Sequence, residues 1–211
     1  MRRLGWIVGA CVVGLLGACD DGSDEGVREA FDTYASAMER HDGNALAAII
    51  DPENIKHYDH TVDVARGGSR ETVMRMSPHE RLTVTLLRAS LKKDQLDKLD
   101  GLGFVKLGME PEPQDESGEA GKISLGPIKV SKPRASAEML INGKKTGLRF
   151  EFVEVEHKWL MNDECLDEWE NRTIRKLAQA LGSSEDVIII KMASAMVGRE
   201  VHLAIWDTPP K

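Results

Sequence analysis

Cysteine is scarce in this chain, and what there is cannot pair. Of three cysteines in 211 residues, Cys11 lies inside an N-terminal apolar run that reads as an export signal, and Cys19 follows directly behind it. Cys165 is left alone, which excludes an intramolecular disulfide even in an oxidising compartment. A nucleophilic role for Cys165 needs a neighbouring His that the sequence does not display, so it reads as a small buried side chain where a strand gives way to a helix. Long apolar runs are also missing. No later stretch reaches the roughly eighteen residues of a membrane-spanning helix. Basic charge is in deficit, with 28 Lys and Arg against 35 Asp and Glu. Such a body is repelled by nucleic acid and by anionic headgroups, which excludes nucleic acid as a partner. The acidic surface suits cationic partners or divalent metal, or serves only solvation. No G-x-S-x-G, H-E-x-x-H, P-loop or dinucleotide glycine pattern occurs.

What is present begins at the N-terminus. Arg2 and Arg3 precede an apolar run starting at Leu4, and Leu16, Gly17, Ala18 and Cys19 close it. A positive region, an apolar core and small residues before a cut describe a secretory signal over residues 1–18. The Leu-Gly-Ala-Cys ending resembles the lipobox of bacterial lipoproteins, which implies that Cys19 is acylated, in the manner of a palmitate anchor, and becomes the mature terminus. Cleavage of an ordinary secreted protein at Ala18 is the alternative. Two or more acyl chains suffice for stable anchoring, so the resemblance implies a protein held on the membrane without spanning it. It would face the periplasm or the outside of the cell. Asp20, directly after the Cys, resembles the inner-membrane retention signal of enterobacterial lipoproteins. Removing Arg2 and Arg3 leaves 26 basic against 35 acidic side chains, a formal charge near −9.

The remaining 193 residues, from 19 of 211, have the length of one domain. Residues 19–26 read as lipidated Cys and acidic tether, because Asp20 to Gly26 offers nothing to a core. Seven flexible residues reach about 15 Å on average. From Val27 the residues Ala30, Phe31, Tyr34, Ala37 and Met38 form one helical stripe. Asp42 and Gly43 end that helix, and Asn44 is expected to cap a short second one before Pro52. Ile55, Tyr58, Val62 and Ala65 keep helical spacing, and Ser77, Pro78 and Glu80 form a capping box with proline at the first position. A further short helix with Leu96 and Leu99 should end at Gly101, so helices fill residues 27–100. Residues 110–121, rich in acid, proline and glycine, read as a mobile loop.

The pattern then changes to strands over residues 122–163. Asn142-Gly143 is the signature of a two-residue hairpin. With that turn, Ala135 faces Phe150, Ala137 faces Leu148 and Met139 faces Thr146, all on one side. Ile128 and Val130 supply the preceding strand. A tight turn near His157 brings Trp159 and Met161 onto the face of Phe150 and Phe152. Residues 164–198 return to helices, first with Leu166, Trp169, Leu177 and Leu181, then from Ser184 with Met192, Ala193 and Met196. Residues 27–211 are thus expected to form one α+β domain, with N-terminal helices on a curved antiparallel meander, a helical insertion and a C-terminal helical extension.

A helix carrying Phe31 and Tyr34, an Asp-Gly corner, a second helix, and a late meander with an Asn-Gly hairpin and the strand residue Trp159 resemble the cone-shaped fold of ketosteroid isomerase, scytalone dehydratase and nuclear transport factor two. The likeness covers roughly residues 27–52 and 122–163. It implies a cavity under the meander, for which Tyr34, Phe150, Phe152, Glu154 and Trp159 are the candidate lining. In that family a carboxylate base works with an oxyanion donor, so Glu154 and Tyr34 are a candidate pair, although neither matches a family motif. Otherwise Tyr34 is a core aromatic and Glu154 a solvated strand residue.

Other constellations are weaker. His57, Asp59 and His60 are dense in ligand-type side chains, but neither helical nor strand geometry presents all three together. Ser90 with Lys93, and Lys145-Thr146-Gly147, match two of the three elements of penicillin-binding serine enzymes, with no S-D-N between them. Asn171 with Thr173 fits a glycosylation sequon. No catalytic residue, metal or cofactor is assigned. The leading expectation is a non-catalytic binding or scaffolding module in the cell envelope, meeting the membrane through its lipid and an envelope protein or small molecule through its body. A small-molecule enzyme or carrier using the cone cavity is the alternative.

Overall fold

The computed structural model describes residues 23–109 and 122–207. The signal segment, Cys19, Asp20, the 110–121 segment and the C-terminal prolines lie outside these, as does the side chain of Cys165. Helix α1 (Ser23–Glu39) buries Val27, Ala30, Phe31 and Ala37, the stripe its spacing dictates. It starts earlier than its composition suggests, shortening the tether. Asp24 and Glu25 suit a helix N-terminus. Gly26 is packed, since a Cβ there would stand 2.7 Å from the Trp159 ring. Helix α2 (Gly43–Ala47) is capped by Asp42, which accepts from Asn44 N and Ala45 N, rather than by Asn44.

Pro52 does not end a helix. It opens α3 (Pro52–Gly67), with Asp51 accepting from Glu53 N. After α4 (Arg70–Met74), helix α5 (Pro78–Ser90) carries the full Ser77–Glu80 capping box. Past α6 (Lys93–Leu96), Gly101 begins α7 (Gly101–Leu107), where a terminus was expected. Its reason is contact: a Cβ at Gly101 would lie 2.4 Å from Ile55 O on α3. Helices α8 (Glu164–Ala180) and α9 (Glu185–Met196) and a 3₁₀ turn (Leu203–Trp206) complete the described chain.

The sheet is an antiparallel meander of β1 (Ile123–Ser131), β2 (Arg134–Ile141), β3 (Lys144–Val155) and β4 (Lys158–Asn162). Near the Asn-Gly turn the expected register holds, with Ile141 opposite Lys144 and Leu140 opposite Lys145. Beyond it the pairing shifts by two, to Ala137 with Phe150 and Ala135 with Phe152. The cause is an irregularity at Thr146-Gly147-Leu148: Gly147 takes φ +78°, and Thr146 Oγ1 donates to Met139 O at 2.8 Å. A shift of two preserves the side-chain alternation, so Ala135, Phe150 and Phe152 still share the buried face. A second irregularity, at Gly126-Pro127 on the edge strand, changes alternation so that Leu125, Ile128 and Val130 all meet the core.

Two cores result. In the first, α1, α2 and α7 cover the meander around Phe31, Phe150, Phe152, Trp159 and Met161. The second is wholly helical and gathers Val62, Leu82, Leu87, Ile174, Ile188, Ile189 and Trp206. Each of these large apolar side chains stabilises the fold by about 1.5–3 kcal/mol. The inward face of α8 is not the expected Leu-Trp stripe, because Trp169, Leu177 and Leu181 are exposed. Ile174 and Ala178 point inward, and Asp167 and Asn171 continue their side toward the N-terminus. Those two polar residues meet polar groups at the start of α5, which is why they sit there.

Candidate functional site

The sheet and the helical core meet where β4 runs into α8, and this seam holds a cavity of about 470 Å³. The chain before α3 pairs in parallel with β4: Met161 N donates to Ile49 O at 2.7 Å and Asp51 N to Met161 O at 2.8 Å. That pairing sets Asp51 beside Asn162, whose Nδ2 donates to Asp51 Oδ2 at 3.0 Å. Asn162 Oδ1 in turn accepts from Glu164 N at 3.2 Å. Asp51 also caps α3, so one buried pair fixes the starts of two helices.

Carboxylates dominate the walls: Asp51, Glu53, Glu164 and Asp167 line the cavity with His57 and Arg134. Pro52, Val153 and Val155 supply apolar wall. Asp163 occupies the N-cap position of α8 without using its side chain to cap. Its Oδ1 is buried and has no hydrogen-bond partner among the described residues. Burial pushes the Asp163 carboxyl up to about 7, reinforced by Asp167, Asp51 and Glu164, while a backbone hydrogen bond acts in the opposite direction.

Behind the cavity wall, His79 on α5 is clasped by two carboxylates of α8. Its Nε2 lies 3.2 Å from Asp167 Oδ1, and its Nδ1 contacts Glu170 Oε2. Burial works against the imidazolium, but Glu170, Asp167 and Glu80 outweigh it and raise the pKa above 6.5. Asp167 is raised by its own burial, with His79 and His57 acting against that. His57 Nε2 stands 3.5 Å from Glu80 Oε1. With both ring nitrogens engaged as donors to carboxylates, His79 is a strut between helices and offers no lone pair to a substrate.

No family model, curated protein or solved structure matches the chain. The residues themselves must therefore carry the reading. Of the five aromatic and acidic candidates, Phe150, Phe152 and Trp159 are 2%, 1% and 6% exposed and packed in the sheet core. The Tyr34 ring packs edge-on to Phe150 at 5.7 Å. Glu154 stands 3.5 Å from Lys132 Nζ. These five do not surround a common opening among the described residues.

The other constellations also separate. Asp59 accepts from Gly101 N, and His57 faces Glu80, which parts the His57-Asp59-His60 group. Among the described residues no three ligating side chains converge on a metal position. Lys145 pairs with Glu138 at 2.7 Å and Gly147 shapes the strand irregularity, whereas Lys93 pairs with Asp97 on α6. The seam residues Asn54, His79, Asn162, Asp163 and Asp167 were not singled out from sequence. A faint signal existed in the polar Asp167 and Asn171 lying on the same helical side as Ile174 and Ala178.

Proposed function

We propose that this chain is a lipid-anchored envelope protein, acylated at Cys19, whose body is a non-catalytic binding module of the cone-shaped α+β kind. The supporting observation is the filled space under the meander: Phe150, Phe152, Trp159 and Met161 occupy the volume that a cone-type enzyme reserves for substrate. Open space lies elsewhere on the body, the acidic seam included, and there no nucleophile and base are in contact among the described residues. Three residues separate Cys19 from the start of α1 at Ser23, four residue steps or at most about 14 Å of chain. The body is thus held close to the bilayer, on the periplasmic or external side, with inner-membrane retention if Asp20 is read as a sorting signal. An envelope protein or a small molecule is the partner. Fatty-acid probe labelling of cells tests the anchor: wild type should label and Cys19→Ala should not, and retained label in the variant overturns it.

A second reading is favoured by one observation. A carboxyl titrating near 7 beside a cavity is suited to proton transfer, so an acid–base enzyme at the seam is the alternative. Assay of purified protein against hydrolase and isomerase substrates separates the two. Turnover that is lost in Asp163→Asn would replace the binding reading with the enzymatic one.

A further inference from the structure

We infer that the apolar groove between the β3–β4 hairpin and helices α2, α3 and α7 receives an acyl chain of a zwitterionic glycerophospholipid from the bilayer, with Glu156 and Lys158 meeting the headgroup. The inference rests on the anchored reading and names the surface by which the body meets the membrane. The groove adjoins the acidic seam along Pro52 and Val155 but differs from it in character. It holds about 490 Å³, a volume in the range of small-ligand sites. Ile50, Ile55, Val155 and Leu160 form its walls, and Leu102 on α7 stands at its edge, 42% exposed. Among the described residues Glu156 and Lys158 are the only charged or polar side chains that line it. Such a lining offers hydrocarbon contact and little else. A chain already in the bilayer loses nothing by entering, and the apolar wall of the groove leaves water.

Two observations select bilayer lipid as the occupant. The first is where the anchored chain leaves the body. Ala48 and Lys158 line both the groove and a neighbouring recess, and that recess is also lined by Gly26, one turn into α1. Cys19 precedes the start of α1 at Ser23 by at most about 14 Å of chain. The groove thus lies at the end of the body that the anchor holds, where bilayer lipid is the nearest hydrocarbon.

The second is the charge at the rim. Glu156 and Lys158 are exposed on either side of His157 in the tight turn, and neither has an ion-pair partner among the described residues. The Lys158 ammonium reaches only Ala48 O, at 3.5 Å. One cation and one carboxylate side by side match the phosphate and the ammonium of a zwitterionic headgroup. An anionic headgroup would instead meet Glu156 and a body with 26 basic against 35 acidic side chains, both repulsive.

The test is photo-crosslinking of the full acylated chain in phosphatidylethanolamine vesicles that carry a trace of the same lipid with a diazirine in one acyl chain. Adducts are located by peptide mass spectrometry. The peptide with Leu102 should carry at least about five times the adduct of the peptide with the equally apolar and more exposed Leu181. Leu102→Glu places a carboxylate in the groove and should lower groove adducts at least about fivefold. Lys158→Glu, at an exposed position, should lower them about threefold, and phosphatidylglycerol vesicles should do the same to wild type. Unchanged circular dichroism shows that each variant is folded, and the two variants change different elements. Equal adducts at Leu102 and Leu181, full adducts in both variants, or equal adducts in phosphatidylglycerol would each overturn the inference. Groove adducts that vanish as protein density in the vesicle rises would assign the face to a second copy and overturn it too. Cys19→Ala, given a diazirine-bearing lysophosphatidylethanolamine in solution, separates this inference from the anchor. Groove adducts kept while acyl labelling in cells is absent from wild type refute the anchor alone, and adducts lost while labelling is kept refute the groove alone.

Discussion

Replacing Arg88 should be among the most damaging single changes in the helical core. This side chain on α5 is 5% exposed and pairs with no carboxylate among the described residues. Its Nε donates to Ala65 O at 2.9 Å, Nη1 to Ile205 O and Trp206 O at 3.0 and 3.1 Å, and Nη2 to Val64 O and Gly68 O at 2.8 and 2.6 Å. All five guanidinium donors are thus used on backbone carbonyls. Val64 and Ala65 belong to the last turn of α3, where the macrodipole is negative and helical donors run out, the last of them being Gly68 N, which Val64 O also accepts at 2.8 Å. The counter-charge of Arg88 is therefore a helix end. Burial lowers its pKa, though the group stays charged at ordinary pH. Each such bond contributes about 1.5–3 kcal/mol, offset in part by desolvation of the guanidinium. Arg88→Met leaves buried carbonyls unpaired and should cost about 3–5 kcal/mol, a large share of a typical 5–15 kcal/mol total. Arg88→Lys keeps the charge but brings three donors, and should cost roughly 2 kcal/mol. Urea unfolding followed by tryptophan fluorescence measures both, since Trp206 is buried beside this site. An Arg88→Met variant within 1 kcal/mol of wild type, on the scale of a surface change, would refute the account.

The Asp163 carboxyl has a folded pKa of about 7 against 3.8, so wild type loses stability as pH climbs between those values. Asp163→Asn should match wild type at pH 4 and exceed it by up to about 4 kcal/mol at pH 8; equal urea midpoints at pH 8 would contradict this. The His79 pKa is also raised, but for a base that marks stabilisation: the clasp by Asp167 and Glu170 is fully present below 6.5 and fades as pH rises through the elevated value. His79→Gln should therefore cost about 1–3 kcal/mol at pH 6 and less at pH 9, and a pH-independent cost would show that the strut is not ionic. Gly147→Ala should cost about 1–2 kcal/mol, because φ is +78° there although open space surrounds it; a neutral result would mean the strand irregularity relaxes.

Helix starts were legible wherever a side chain caps its own backbone. Ser77 with Glu80, and Ser184, lie at the predicted boundaries because their signals are local. Gly101 misled because a glycine reads as a helix end, whereas here it lets α7 approach α3, and contact between distant segments leaves no local mark. Strand pairing failed for a related reason. The Asn142-Gly143 turn fixes only the first two pairs, and the shift at Thr146-Gly147 depends on a hydrogen bond across the sheet. Glu156 and His157 both adopt positive φ without being glycine, so that turn is held by its strands more than by its residues. Tyr34, Phe150, Phe152 and Trp159 were legible as a shared face, but not as a closed one, since filling depends on what α1 and α2 deliver from the other side. Asp163 carried no signal at all: at a strand-to-helix boundary an Asp reads as a cap, and only the structure shows that it does not act as one.

That failure to cap links stability to function at the seam. Asn162 and Asp51 perform the capping, through Glu164 N and Glu53 N, and bind each other, so two helix starts and the β4 edge form one rigid unit. Rigidity of this kind is what permits neighbouring groups to stay unsatisfied. In a mobile segment Asp163 and Asn54 would turn to water or to a nearby amide; here the pairing of Ile49 and Asp51 with Met161 holds the backbone just ahead of each of them. A fold that merely needed the seam closed would lose nothing by carrying Asn at 163, and by the linkage above would gain stability at neutral pH. Local rules broken in this way, without structural compensation, concentrate where a protein binds or reacts. The acidic seam is thus the part of the body whose chemistry the architecture does not explain by itself.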